Sequence, residues 1–410
     1  MSEKRGKHVS RAVIARRPGE RSRSSVSLPL PFFLFFFLFW WSCDVHEWPG
    51  AGERRLYRLR LEFDTLMTRV EAPYQSKSAG ERATHQVRHV VRVFPVGADG
   101  TVSRVPSLER VETGPWTGKP DREIELELPS GRHKILVWSD IVPVGTTGDH
   151  HHATGDFTAI TLREPHAGNT LTRDAFRGIE EVEVTPTMKE GQPVEVVVSM
   201  ERPLARFEFI TTDLREFVDK EVESAKAKAE AKALAGARAK AKTRSQAGEE
   251  NPAVLADTTG SGKSSETVGA GENQVLEDES KISKIDISDY KVVFVYSGFM
   301  PHVFDLFRDK PVGSRNPGTV SFASTITRLN DGEASIGFDH VLVNGHESSG
   351  QIASQLYDRE GNLLSTSGSI TVPVKRGQHT VMKGKFLTRE ASGGVSIDPG
   401  FVDEFNVRVY

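Results

Sequence analysis

The stretch "LRLEF" at residues 59–63 alternates the apolar side chains of Leu59, Leu61 and Phe63 with charged ones. A period of two places the apolar side chains on one face of a β-strand. The same alternation recurs in "EIELELP" (123–129), "ARFEF" (205–209) and the stretch 405–409. These segments predict strands that each bury one face.

The residues between such stretches carry turn signals typical of β-hairpins. These signals are Asp99-Gly100, Ser130-Gly131, Asp331-Gly332 and Gly361-Asn362. Two further stretches, "HKILVW" (133–138) and "YKVVFVY" (290–296), are apolar on both faces, which predicts central strands. Strands and turns at this spacing, with one convincing helix, predict an all-β protein of antiparallel β-sandwiches.

The predicted helix covers residues 213–242. Asp213 and Glu216 have the spacing of a capping box at its start. From Ala225 every second residue is alanine and the charges surround the axis, so the helix has no apolar face and should be solvated. A semi-rigid spacer is favoured over a binder of anionic lipid or polysaccharide. The following residues, 243–285, are rich in Gly, Ser, Glu and Thr and predict a flexible linker.

Composition excludes several classes of protein. The chain has 410 residues, of which 37% are hydrophobic and 27% charged, unlike a multi-span membrane protein or a fully disordered chain. The net charge is -3, and the first 27 residues are strongly basic, so the remainder is acidic. An acidic body argues against nucleic acid as a partner. The single cysteine excludes an intramolecular disulfide and a Cys-rich zinc site.

The N-terminal 42 residues predict an export signal. A basic stretch precedes the apolar run "FFLFFFLFWW" at residues 32–41, which is too short to span a bilayer. The small Ser42 and the cysteine Cys43 follow it, and this junction resembles a bacterial lipobox, with cleavage between the two and diacylation of Cys43. Two acyl chains give stable anchoring. The alternative is that Cys43 is incidental.

These observations predict four regions. They are a lipoprotein signal peptide (1–42), an N-terminal tether (43–53), a first β-sandwich (54–200) and a second β-sandwich (201–410) that the helix and linker interrupt.

Six stretches together resemble the fimbrillin-type (FimB-like) surface lipoproteins of Bacteroidales. They are "CDVHEWP" (43–49), "LPSGRHKILVWSD" (128–140), "NTLTRDAFRG" (169–178), "RPLARFEFITTDL" (202–214), "YKVVFVYSGFMP" (290–301) and "FLTREASGGVSID" (386–398). The resemblance implies two tandem transthyretin-like sandwiches, lipid attachment at Cys43, an outer-membrane location and no enzymatic activity or cofactor. It implies a fimbrial anchor or accessory subunit, or an adhesin, with outer-membrane lipid and fimbrial subunits as partners.

A second hypothesis is a surface lipoprotein that binds glycans or other ligands, with exposed aromatics such as Trp116 stacking on sugar faces. The alternating strand at residues 405–410 either completes its own sheet or is donated to a neighbouring subunit. Its own sheet is the default expectation.

Other residues with chemical potential have structural interpretations. The run "GDHHHATGD" (148–156) offers histidines to Zn or Ni, but flanking glycines favour a solvated loop tip, and no metal site is predicted. His85 and His89 are interpreted as surface histidines. "GSGKSS" (260–265) lacks the spacing of a phosphate loop. Acidic pairs such as Asp339 with Glu347, or Asp358 with Glu360, lie in no recognisable cleft, so no catalytic residue is predicted.

Overall fold

A computed structural model describes residues 54–63, 75–117, 121–185, 193–246, 285–345, 348–388 and 406–409. These residues belong to one compact unit, Glu53–Tyr410. The predicted signal peptide, the tether and Cys43 lie outside the described residues, as do residues 247–284 of the predicted linker.

The first half of the described chain is built from ten strands and one helix. In chain order they are β1 (Arg55–Phe63), α1 (Gln75–Thr84), β2 (His85–Val96), β3 (Leu108–Pro115), β4 (Arg122–Leu128), β5 (Gly131–Pro143), β6 (His152–Ala153), β7 (Ile160–Leu162), β8 (Ala175–Val184), β9 (Val194–Met200) and β10 (Leu204–Thr211). A 3₁₀ turn, Leu171–Arg173, precedes β8.

The second half begins with a long helix and continues with ten strands. They are α2 (Leu214–Gln246), β11 (Lys291–Tyr296), β12 (Met300–Asp305), β13 (Lys310–Arg315), β14 (Ser321–Thr325), β15 (Thr327–Arg328), β16 (Ala334–Leu342), β17 (Ser348–Tyr357), β18 (Leu363–Val374), β19 (His379–Gly384) and β20 (Asn406–Val409). A 3₁₀ turn, Ile287–Asp289, precedes β11.

A three-stranded sheet (β4-β1-β9) packs on a four-stranded sheet (β3-β2-β5-β8), and we call this pair the first sandwich. The alternation in β1 buries Tyr57, Leu59 and Leu61, each 1% exposed or less. They share one core with Val91 and Val137 of the opposite sheet. The prediction of strands with one buried face is therefore confirmed for β1.

The second sandwich pairs a five-stranded sheet (β15-β16-β10-β19-β20) with a four-stranded one (β14-β11-β17-β18). Phenylalanines dominate its core. Phe294 stacks on Phe209 with ring centroids 5.3 Å apart and on Phe322 at 5.0 Å. Such offset aromatic pairs add to the gain from burial alone.

A fifth sheet (β13-β12-β7-β6) links the two sandwiches because β7 pairs with β12, with Ile160 opposite Phe304. It covers the outer face of the sheet that contains β5, where the ring centroids of Trp138 and Phe304 are 6.0 Å apart. Val137 points to the opposite core. Both faces of β5 are therefore buried, and β5 and β11 are central strands, as their sequences predicted.

Two features of the predicted topology are wrong. The sheets are not purely antiparallel, because β1 pairs in parallel with β9 and β10 in parallel with β19. Ser130-Gly131 does not close a hairpin, since β4 and β5 belong to opposite sheets of the first sandwich. The other three turn signals do connect paired strands.

The helix extends to Gln246, four residues past its predicted end. Its start does not use the predicted capping box. The carboxylate of Asp213 accepts hydrogen bonds from the backbone N–H groups of Leu387 and Thr388, and Glu216 instead pairs with Lys385 at 3.1 Å. The first turn of the helix is therefore positioned by contacts of Asp213 with a distant segment. The spacing of residues 213–216 in the sequence could not show these contacts.

Candidate functional site

The histidine run at residues 148–156 lies against the first sandwich and is not the solvated tip that the sequence predicted. Arg88 donates to Asp149 at 2.9 Å, and Arg92 donates to the carbonyl of Thr154 at 2.9 Å. His152 is only 1% exposed. The two guanidinium groups point from β2 into the interior and need acceptors, which this loop supplies.

Arg88 also forms a buried two-bond ion pair with Asp140 of β5. The distances are 2.8 Å and 2.6 Å, and the two side chains are 3% and 0% exposed. The neighbouring His89, expected at the surface, is 1% exposed and shares a 2.8 Å hydrogen bond with Ser139. Burial lowers the pKa of His89 to about 4, so its ring is neutral at pH 7.

Three imidazoles from two segments meet beside this ion pair. The ring centroids of His85 and His150 are 5.5 Å apart, and those of His150 and His151 are 3.9 Å apart. His151 shares a 2.8 Å hydrogen bond with Thr172. Burial and then the neighbouring imidazoles lower the pKa of His151 to about 2. Within the residues that the structure describes, no group of three or more His, Cys, Asp or Glu side chains is placed to hold a metal ion.

A buried charge centre around Asp339 connects the two halves of the chain. Its carboxylate accepts from Arg173 at 2.6 Å and from the hydroxyl of Tyr296 at 2.6 Å, and His166 Nε2 lies 2.7 Å away. Burial alone would raise the pKa of Asp339, but the charge of Arg173 and the contacts with His166 and Tyr296 hold it well below its usual range. The side chain is 1% exposed, and both of its oxygens contact these partners. Glu347 lies outside the described residues.

A second charge centre surrounds Asp309, in the turn between β12 and β13. Arg177 of β8 donates to it at 2.8 Å and 2.9 Å, and Arg376 donates at 2.7 Å. Arg177 also pairs with Glu201 at 2.8 Å. Side chains from the first sandwich, the fifth sheet and the second sandwich therefore converge on one carboxylate.

Sequence reasoning missed both charge centres. Their partners are far apart in the chain, so spacing shows no pattern. Arg173 and Arg376 lie in polar stretches, so there was little sign in the sequence that these guanidinium groups would be buried and need acceptors.

Trp116 is half-buried, not exposed as the glycan hypothesis requires. Its ring packs against Leu171 and Phe338, and Arg82 lies 5.7 Å from the ring centroid. This indole covers a small apolar cluster. The geometry gives no support to sugar stacking at this position.

The hairpin tip between β17 and β18 holds the other acidic pair, Asp358 and Glu360. Asp358 accepts hydrogen bonds from the backbone and side chain of Asn362 at 2.7 Å and 2.8 Å. Its carboxylate therefore stabilises the turn.

The alternating strand near the C-terminus is β20, at one edge of the five-stranded sheet. It pairs antiparallel with β19, with Val409 opposite Thr380 and Asn406 opposite Lys383. The strand thus adds to a sheet of its own chain in this structure.

The sheets and their shared cores define an all-β protein with few helices. Among the helices that the structure describes, none is long and apolar enough to cross a membrane. The chain belongs to the family of unknown function DUF6562, whose family model matches residues 54–410.

No curated protein sequence matches this chain. Solved structures to which the chain is weakly similar include the fimbrial anchor protein Mfa2 from Porphyromonas gingivalis, at 10% identity and a TM-score of 0.35, covering 87% of this chain and 97% of that one. The tip fimbrial protein Mfa3 from the same organism has 9% identity and a TM-score of 0.36, covering 87% and 98%. A fimbrial assembly protein from Parabacteroides distasonis has 12% identity and a TM-score of 0.31, covering 81% and 92%. Likenesses this weak carry no argument about function.

Proposed function

We propose that this protein is a non-enzymatic lipoprotein of the outer membrane, of fimbrillin type, that serves as an anchor or accessory subunit of surface fibres or as an adhesin. The observation that carries the proposal is the apolar run at residues 32–41 followed directly by Ser42 and Cys43. Cleavage before Cys43 and diacylation of its sulfur would attach the body to the membrane through two acyl chains. The sheet-rich body would comprise two tandem transthyretin-like sandwiches, at residues 54–200 and 201–410.

The internal construction of the body supports a role in which it transmits force. The pairing of β7 with β12 and the charge centres at Asp339 and Asp309 join segments from both halves. Separating the halves would break the pairing of β7 with β12 and expose the apolar contact of Trp138 with Phe304 to water, which is costly. A subunit that links a membrane anchor to a fibre benefits from halves that stay together.

The proposal is tested by intact-mass spectrometry of the protein purified from a Bacteroidales host. The expected product begins at Cys43 and carries the added mass of a diacylglyceryl group. The variant Cys43→Ser should stay unprocessed and lose metabolic labelling by a palmitate analogue, whereas Asp44→Asn should be processed normally. Native protein that retains residues 1–41 and carries no acyl chains would overturn the proposal.

The assembly role has its own test. Deletion of residues 405–410 should leave a folded protein, by circular dichroism, if β20 is donated to a partner, and should abolish co-purification with fimbrial subunits. If the deletion unfolds the protein, β20 serves its own sheet and donation is rejected.

A further inference from the structure

The start of α2 is buried against the body of the protein, whereas its distal part is exposed. Near its start the helix packs through Leu214 and Phe217, which are 0% and 2% exposed. Every residue from Glu230 to Lys240 is exposed, and Leu234 is 56% exposed. Tertiary packing therefore does not explain the composition of this part.

Residues 226–240 of α2 form what we call the basic segment. It contains five basic side chains and one acidic side chain, Glu230. The basic residues are Lys226, Lys228, Lys232, Arg238 and Lys240. With 100° between successive residues and a rise of 1.5 Å, they surround the axis over about 21 Å.

Two local features weaken this helix, although Lys226 and Glu230 form one favourable pair four residues apart. Lys228 and Lys232 are like charges four residues apart, a spacing that destabilises a helix. Gly236, in the helix interior, costs about 1 kcal/mol relative to alanine. An exposed helix that serves only as a spacer is better stabilised by alternating Glu and Lys. The excess of positive charge therefore indicates an anionic partner that would neutralise it.

Although the sequence alone favoured a spacer, we propose that the basic segment binds an acidic polysaccharide, a flexible chain with repeated carboxylate groups. A planar membrane would meet only one side of the helix, and the segment offers no apolar face to insert. Single-stranded nucleic acid is bound with the help of aromatic side chains, and residues 218–246 contain none. A flexible polyanion can instead wrap around charges on all sides. The proposal does not rest on lipid attachment or on fimbrial assembly.

The test measures binding of fluorescent polygalacturonate to the full-length protein at low and physiological salt. In the helix variant all five basic residues of the segment are changed to Gln, which has a helix propensity similar to that of Lys. A matched control removes five exposed charges elsewhere, at Arg60, Lys291, Arg308, Lys310 and Arg315. The helix variant should bind about tenfold more weakly or worse, whereas the control should change little, since screening confines the attraction to nearby charges.

A second measurement reports on the helix itself. Bound polygalacturonate should neutralise the like charges and increase the helical signal at 222 nm in the native protein, but not in the helix variant. Both variants should keep nearly the thermal unfolding temperature of the native protein, because every substituted side chain is exposed and ion pairs of exposed side chains contribute little.

Three outcomes would overturn the proposal. In the first, the helix variant and the control bind polygalacturonate equally. In the second, the native protein binds phosphatidylglycerol vesicles more tightly than polygalacturonate. In the third, it binds duplex DNA more tightly than polygalacturonate. The first outcome would show that the basic segment does not bind the polysaccharide. The second and third would show that its partner is a lipid surface or a nucleic acid.

Discussion

Replacing Asp339 by Asn removes the charge that compensates Arg173 in the interior. The two side chains are 1% and 3% exposed, and their atoms are 2.6 Å apart. Loss of one partner from such a buried pair costs about 3–5 kcal/mol, because the remaining charge is desolvated and unpaired. With an m-value of about 3 kcal/mol/M in urea, the unfolding midpoint at pH 7 should fall by about 1 M or more.

Two further variants give this experiment its specificity. The double variant Arg173→Met with Asp339→Asn contains no unpaired charge, so it should recover more than half of the lost stability, a coupling that a double-mutant cycle measures. Glu125→Gln, which breaks an exposed pair with Arg58 at 3.1 Å, should leave the midpoint nearly unchanged. A loss below about 1 kcal/mol for Asp339→Asn, or no recovery in the double variant, would refute the argument from burial.

Acid should destabilise the protein through His89, whose pKa of about 4 in the folded state lies below the ordinary value of about 6.5. The unfolded chain then binds more protons, so stability is complete above pH 6.5 and about 2 kcal/mol is lost between pH 7 and pH 5. Burial also lowers the pKa of His151 to about 2 and that of His340 to about 3, so these two contribute in the same window. His89→Asn should therefore reduce the dependence in urea unfolding by about 2 kcal/mol without removing it, and an unchanged slope would contradict the assignment. Gly178→Ala should cost about 1–3 kcal/mol in thermal unfolding, because its Cβ would lie 2.5 Å from Val198 Cγ1. Gly148→Ala, with open space around it, is the control, and equal losses in the two variants would argue against overpacking.

The strands could be predicted because the signal is local. In β1 from Tyr57 and in β4 from Ile124 each inward residue is apolar and the outward ones are charged, so a few residues are enough to identify the element. The two apolar faces of β5 also indicated its central position. The sequence did not show that the sheet containing β12 packs on the second face of β5, because β12 is far from β5 in the chain.

The charge centres could not be predicted, because their geometry depends on which distant segments meet. Arg173 and Asp339 each sit in a stretch that gives no sign of the other. The histidine run was interpreted as solvated because glycines flank it and its residues are polar. The run is instead partly buried, because Arg88 and Arg92 of β2 donate hydrogen bonds to acceptors in this loop.

The two parallel pairings have a consequence for how the chain matures. β1 needs β9 beside it, with Tyr57 opposite Val194, and β10 needs β19, with Arg206 opposite His379. Because synthesis proceeds from the N-terminus, each of these early strands emerges long before its parallel neighbour exists. Contacts between residues so far apart in sequence form slowly, and until then the unpaired strand edges are prone to associate with other chains. The sheet that contains β10 and β19 therefore stays incomplete until residue 384 has been added.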